Sequence, residues 1–231
     1  MSLNSHFPLA FGLPSRSQKR TTGNPPISRN TAIQNRKLPR QERSRAAVET
    51  ILQAAARVFV ADGLEQATTN RIAEIAGVSI GSLYQYFPNK QAIARALLVQ
   101  HFERAEALRP AALRGPERLE LRERLRIAVE WQLAVHAEDP ALHQTLTRIA
   151  PAVLEPKVIE AIEQLTQRTL RFILQLYVEE LPGRDLDLAA FVVATCMESL
   201  THGATVHHPE LLDRPELAAE ITELLAGYLG V

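Results

Sequence analysis

Cysteine is nearly missing from this 231-residue chain, Cys196 being the only one. A lone cysteine excludes an intrachain disulfide and any Cys-rich metal framework, and it suits a reducing compartment. Long apolar runs are missing too. No stretch approaches the ~20 apolar residues that cross a bilayer as a helix, so no membrane partner is expected. The opening MSLNSHFPLAFGL has an apolar patch but no preceding positive charge, which does not fit a secretory signal. Acidic residues are absent from positions 1–40, where seven basic ones stand: Arg16, Lys19, Arg20, Arg29, Arg36, Lys37 and Arg40.

Signs of catalysis are lacking as well. There is no phosphate-cradling glycine loop, no Ser or Cys nucleophile in a recognised setting, and no histidine pair at i, i+4 with an adjacent carboxylate. Cys196, His202, His207 and His208 follow no recognised ligand spacing, so neither metal nor cofactor is expected. An enzyme is therefore the weaker class of reading.

What is present is a chain that is 46% apolar, enough for a substantial core, with zero net formal charge. That zero hides an asymmetry. Residues 41–90 balance at five charges of each sign, and residues 91–231 hold 14 basic against 21 acidic side chains. A basic end and an acidic end imply that one end alone faces a polyanion. The basic segment is also rich in Ser, Thr, Asn and Pro and lacks helical periodicity, which reads as a disordered arm. Such an arm either follows phosphates and a minor groove or is a passive tail. Its Arg- and Ser-rich composition also resembles an organellar transit peptide, a reading the later motif disfavours.

From residue 41 the pattern turns helical. Val48, Ile51, Leu52, Ala55, Val58 and Phe59 recur at steps of three and four, and Asp62-Gly63 offers a left-handed stop. Thr68-Thr69 can cap a second helix of about two turns, whose Ile72, Ala73, Ile75 and Ala76 end at Gly77. Gly77-Val78-Ser79 then makes a helix-turn-helix corner: Gly takes the positive φ, Val enters the core and Ser caps the third helix. That helix spans Ile80 to about Tyr86, with Leu83 and Phe87 as its buried side and small Gly81 and Ser82 at its start. Pro88 stops it. Asn89-Lys90 opens a fourth helix carrying Ile93, Leu97, Leu98, His101 and Phe102.

Residues 68–93, TTNRIAEIAGVSIGSLYQYFPNKQAI, resemble the signature of the TetR family of bacterial transcriptional regulators. The matching elements are a Thr-rich cap, I-A-x-x-A-G-V-S, G-x-L-Y-x-x-F and a Lys at the next helix start, and the likeness extends over about residues 44–95. It implies an all-α fold of about nine helices. A three-helix DNA-binding unit (41–90) would follow the arm (1–40) and join, through the fourth helix, a ligand-binding and dimerisation unit (91–231). It also implies a cytoplasmic, nucleoid-associated homodimeric repressor that holds a palindromic double-stranded operator and is released by a small-molecule inducer.

Helix starts expose backbone N–H groups that attract phosphate. Thr68, Thr69, Tyr84 and Lys90 are the expected phosphate contacts. Ile80, Gly81, Ser82 and Tyr86, with Asn70 from the second helix, are the expected base contacts, and Ser79 caps among them. The family commonly has His where this chain has Tyr86, which leaves the base that Tyr86 meets open.

Beyond residue 95 the resemblance is one of architecture. A fifth helix is expected after Pro116, with Leu121, Leu125, Ala128 and Trp131 inward. A sixth runs from Asp139-Pro140 to Pro151, and a seventh from near Pro156, with Ile159, Ile162, Leu165, Leu170, Ile173 and Tyr177 inward. The eighth, about 185–206, is apolar around most of its circumference and must be covered on two sides. With the ninth, after Pro215, it suggests a dimer interface through Phe191, Ala194, Leu217, Ile221, Leu224 and Tyr228.

Polar or aromatic residues that can face the helical interior are His101, Trp131, His136, Arg148, Tyr177, Glu198 and His202. Trp131, Tyr177 and His202 are singled out as effector contacts, against the plainer reading that they are ordinary core or surface groups. Three further alternatives stay open: an activator of the same fold, an all-α enzyme, and the DNA-binding part of a recombinase or architectural protein.

Overall fold

A computed structural model describes residues 40–115 and 119–231. The expected basic arm before Arg40 and the expected start signal at Pro116 lie outside the described residues. Among the described residues nine α-helices run in order: α1 Arg40–Gln66, α2 Thr69–Ala76, α3 Ile80–Tyr86, α4 Lys90–Leu108, α5 Leu121–Glu138, α6 Pro140–Val153, α7 Pro156–Gln175, α8 Leu186–His207 and α9 Glu216–Leu229. Short 3₁₀ turns occupy Ala111–Leu113 and Pro209–Leu211, and no strand occurs among the described residues. The all-α expectation is met.

The helix boundaries follow from side-chain capping. The Arg71 N–H donates to Thr68 Oγ1 (3.2 Å), the Ser82 N–H to Ser79 Oγ (3.0 Å) and the Ala92 N–H to Asn89 Oδ1 (2.8 Å). Each bond satisfies a donor that a helix start leaves open. Gly77 sits at φ 65°, ψ 29°, and the following Val78 N–H donates back to the Ala73 carbonyl at 3.0 Å, the reverse turn that ends α2. Later in the chain, Asp139 caps α6 by accepting from the Leu142 N–H (3.0 Å), and Asp185 caps α8.

Three boundaries differ from expectation. Gly63 breaks α1 at φ 73°, ψ 167°, outside the left-handed helical region, and a further helical turn carries the chain to Gln66. That backbone geometry is open almost to glycine alone. Pro151 lies inside the last turn of α6, which continues to Val153; near a helix end the bond that proline removes is one of few still to be made. The α7 helix stops at Gln175, so Tyr177 stands in the turn after it.

Two apolar clusters organise the molecule. The first joins α1, α2, α3 and α4 through Ile51, Phe59, Ile72, Leu83, Ile93 and Leu97, continues past residue 90, and takes in Leu146, Ile149 and Val153 of α6. The second gathers Leu121, Leu125 and Val129 of α5 with Leu174, Val193, Ile221 and Leu225. The α6 helix, packed on α1 and α4, is thus the element by which the C-terminal half grips the N-terminal one.

Candidate nucleic-acid interface and effector region

Leu83, fully buried, and Phe87 anchor α3 to the first cluster, which fixes the direction of the opposite face. On that face Ile80, Gly81 and Tyr84 are exposed, Tyr84 at 52%, while Ser82 and Tyr86 are half-buried. Tyr86 packs back against the core. The Tyr84 hydroxyl lies 3.0 Å from Thr69 Oγ1, tying α3 to the start of α2 and holding both hydroxyls at one edge. Thr68 and Asn70 are exposed on the same end of α2. Ser79 and Ser82 pair through their hydroxyls at 2.8 Å.

Lys90 is placed differently from the sequence expectation. Its ammonium donates to the carbonyls of Glu65 (2.6 Å) and Ala67 (3.1 Å), so it closes the end of α1 onto the start of α4. A lysine ammonium carries three donors, and two are engaged here.

In the C-terminal half the singled-out residues do not meet in one place. Trp131 Nε1 donates to the Ala105 carbonyl of α4 (3.2 Å), with the Arg109 guanidinium 5.2 Å from its ring centre. Tyr177 is buried as a strut: its hydroxyl donates to the Leu119 carbonyl (2.8 Å) and accepts from Arg124 Nε (2.7 Å). Arg124, buried on α5 and missed in the sequence, also donates to the Ala112 and Gly115 carbonyls. Its place beside the buried Leu121, Leu125 and Val129 gave no warning, because an arginine in a helix reads as surface. Arg148, expected to face inward, is exposed on α6.

His202 does join a group, with partners from three other helices. The His136 and His143 ring centres are 4.0 Å apart, His101 lies 5.3 Å from His143, and His202 6.0 Å from it. Burial comes first in lowering the basicity of His101, His136 and His143 below the ordinary imidazole range. At His143, three neighbouring imidazoles add to the effect, and its pKa falls to about 3. His143 was not singled out in the sequence. The signal available was its place one turn inside the Asp139-capped helix, seven residues after His136.

The α8 face expected at a dimer interface splits in two. Ala189, Ala190 and Val193 are buried in the second cluster, while Leu188 (56%) and Phe191 (50%) are exposed and Ala194 is half-buried. On α9, Leu224 is 55% exposed, and Leu217 and Tyr228 are half-buried. Ile221 departs from the expectation, because it points into the chain's own core. No helix among the described residues is long and apolar enough to cross a membrane.

Comparison with known proteins matches residues 51–97 to the bacterial regulatory proteins of the tetR family and residues 120–229 to the tetracyclin repressor-like C-terminal domain. An uncharacterised HTH-type transcriptional regulator of Mycobacterium tuberculosis is 30% identical over 183 residues, 78% of this chain and 92% of that protein. The nucleoid occlusion factor SlmA of Vibrio vulnificus is 31% identical over 121 residues, 52% of this chain, and the match spans 61% of the factor's length. Among solved structures, a tetR-family regulatory protein from Rhodococcus RHA1 superposes with a TM-score of 0.65 at 22% identity, covering 79% of this chain and 96% of that one. The fatty acid degradation regulator FadR from Bacillus halodurans gives 0.61 at 21%, covering 80% and 95%. With both halves matched in order, and a relative aligned over nearly its whole length, the chain belongs to the TetR family of helix-turn-helix transcriptional regulators.

Proposed function

We propose that this regulator is a ligand-responsive repressor that binds a roughly palindromic operator as a homodimer and is released by a small-molecule effector. The reading is carried by one observation: α3 is anchored by Leu83 and Phe87 while Ile80, Gly81 and Tyr84 stay exposed beside Thr69 and Asn70. In this reading Thr68, Thr69, Tyr84 and Lys90 hold phosphates and set the register. Asn70, Ile80, Gly81, Ser82 and Tyr86 lie against base edges, with Ser79 capping the helix they share. A Cβ built on Gly81 would meet nothing in the chain nearer than Ser79 Oγ at 3.9 Å, so the room left by glycine there is room for a partner.

A single helix of this length buries too little for tight specific binding, so two copies about 34–36 Å apart are needed. The exposed Leu188, Phe191 and Leu224, with half-buried Ala194, Leu217 and Tyr228, supply an apolar face for that pairing. In this scheme residues 41–90 read DNA and residues 91–231 sense the effector and pair, in the bacterial cytoplasm on the nucleoid. The α4 helix is the lever. It begins at the DNA-reading end and is tied to the other half by Trp131 on the Ala105 carbonyl, by Arg104 on Glu138, and by Arg95 on the Val153 carbonyl. An effector that favours one setting of α4 changes the separation of the two reading helices by population shift.

The test is selection of binding sites from randomised duplex DNA with the full chain. Enrichment of an inverted repeat whose half-sites lie about one helical turn apart is the expected result. Recovery of asymmetric sites, or no enrichment at all, would overturn the reading. Placing the selected site within or upstream of a promoter then separates repressor from activator.

A further inference from the structure

We propose that Lys90 is a positioning residue for operator recognition: it latches the start of α4 onto the turn at residues 63–67 and so sets the angle at which α2 and α3 meet DNA. This rests on the reading of α2 and α3 given above. Lysine is an unfavourable choice at the first residue of a helix, where unbonded N–H groups already carry partial positive charge. Lys90 holds that place in α4. The end of α1 offsets the cost, because the last carbonyls of a helix have no intrahelical donors and form its negative pole. There the Lys90 ammonium donates to the Glu65 carbonyl at 2.6 Å and to the Ala67 carbonyl at 3.1 Å. Two engaged donors fix the charge in place, and a third N–H stays for the phosphate assigned to it above.

These carbonyls are aimed by Gly63. Its φ of 73° and ψ of 167° interrupt α1, and the Ala67 N–H donates back to the Gly63 carbonyl at 3.2 Å, so residues 63–67 form a turn of their own. Ala67 is buried and seats that turn on the first apolar cluster. A Cβ added at Gly63 would meet nothing within 4 Å, so glycine is needed there for its backbone and not for space.

The turn ends where the reading pair begins. Thr68, the next residue, caps α2 by accepting from the Arg71 N–H, and Thr69 Oγ1 lies 3.0 Å from the Tyr84 hydroxyl of α3. Arg71 also pairs with Asp62 of α1 at 3.0 Å, across the same joint. The far end of the pair meets α4 through the chain itself, at residues 87–89. The start of α2 has no such link, and Lys90 supplies one. The first residue of α4 thus holds the α2–α3 pair at both ends, so a shift of α4 carries the pair with it.

Fluorescence anisotropy of the full chain, with the selected operator and with a random-sequence duplex of equal length, tests the latch through the ratio of the two affinities. Loss of folded chain weakens both alike and leaves the ratio unmoved. Lys90→Met keeps the length of the side chain and removes its donors; it should narrow the ratio about tenfold, the scale of one base contact. Lys90→Arg can still donate to both carbonyls and should restore most of the ratio. Gly63→Ala leaves the Lys90 charge in place and strains only the turn, so it should narrow the ratio with the salt dependence of binding unchanged. Lys90→Met, at a half-buried position, decides alone if Gly63→Ala does not fold. An equal loss on both duplexes in Lys90→Met, with a flatter salt dependence and an unmoved ratio, would make Lys90 a phosphate contact alone and overturn the proposal. An unmoved ratio in folded Gly63→Ala would overturn the turn as the joint. If no operator can be selected at all, the reading of α2 and α3 fails first and the latch with it.

Discussion

The two halves of the molecule bury different things. Every buried side chain described in α1–α4 is apolar, whereas α5–α9 bury Arg124, His136, Thr145, Thr201, Thr205 and Thr222. An apolar interior close-packs and holds one geometry, and with it the placement of Thr69, Ile80 and Tyr84 at the surface above it. A polar interior is costly unless each group finds a partner. Thr201, Thr205 and Thr222 find theirs locally, on carbonyls one helical turn back. Arg124 and His143 reach across to other elements instead, so the C-terminal half is held in part by polar contacts between elements rather than within one helix.

Four measurements would break or sharpen this contrast. The largest effect is expected at Leu83, the buried anchor of α3. Leu83→Ala should cost ~2–5 kcal/mol of stability in urea denaturation, because the site removes apolar contact and leaves a cavity. Operator binding should fall with it. A change well under 1 kcal/mol would mean that α3 is not held by its core, and the rigid-reader view of the N-terminal half would fail.

Next comes the exposed apolar face of the other half. Phe191→Ser should forfeit ~1.5–3 kcal/mol of burial from each protomer and shift the monomer–dimer equilibrium in sedimentation toward monomer. An unaltered equilibrium would move pairing away from α8. Tyr177→Phe should follow at ~1–3 kcal/mol of stability, since it leaves Arg124 Nε without its acceptor inside the protein. If stability is unchanged while a bound effector is lost, Tyr177 is a ligand contact and the strut described here is incidental.

The same contrast governs how much was legible in the sequence. The helix-turn-helix could be read because its determinants are local: Thr68, Ser79 and Asn89 cap within three residues, and Gly77 turns where it stands. Its polar contacts over distance were not readable. Nothing in the spacing said that Lys90 would close on carbonyls 23 and 25 residues earlier. In the C-terminal half the helices were legible from Pro and Asp caps, yet the buried histidine group was not. His101, His136 and His202 were each marked as inward-facing, but their meeting at His143 depends on how four helices cross, and periodicity reports only which face of one helix is apolar. The same limit hid Arg124, whose partners lie in the connection before α5 and in the turn after α7. Ile221 fell on the wrong side because α9 is apolar enough that its stripe could be drawn either way.

The smallest effect is expected one residue from the largest. Tyr84 follows Leu83 but points outward, and its hydroxyl is paired with Thr69 at the surface. Tyr84→Phe should leave unfolding essentially unchanged. In fluorescence anisotropy it should weaken DNA binding by ~0.5–1.5 kcal/mol, the scale of one hydrogen bond. A phosphate contact carries no sequence information, so the loss should be equal on the selected operator and on variants with single base changes. A loss confined to one base position would instead make Tyr84 a base reader. A loss of stability would show that its bond to Thr69 holds α2 against α3, and would extend the structural use of polar contacts to the half that otherwise relies on apolar packing.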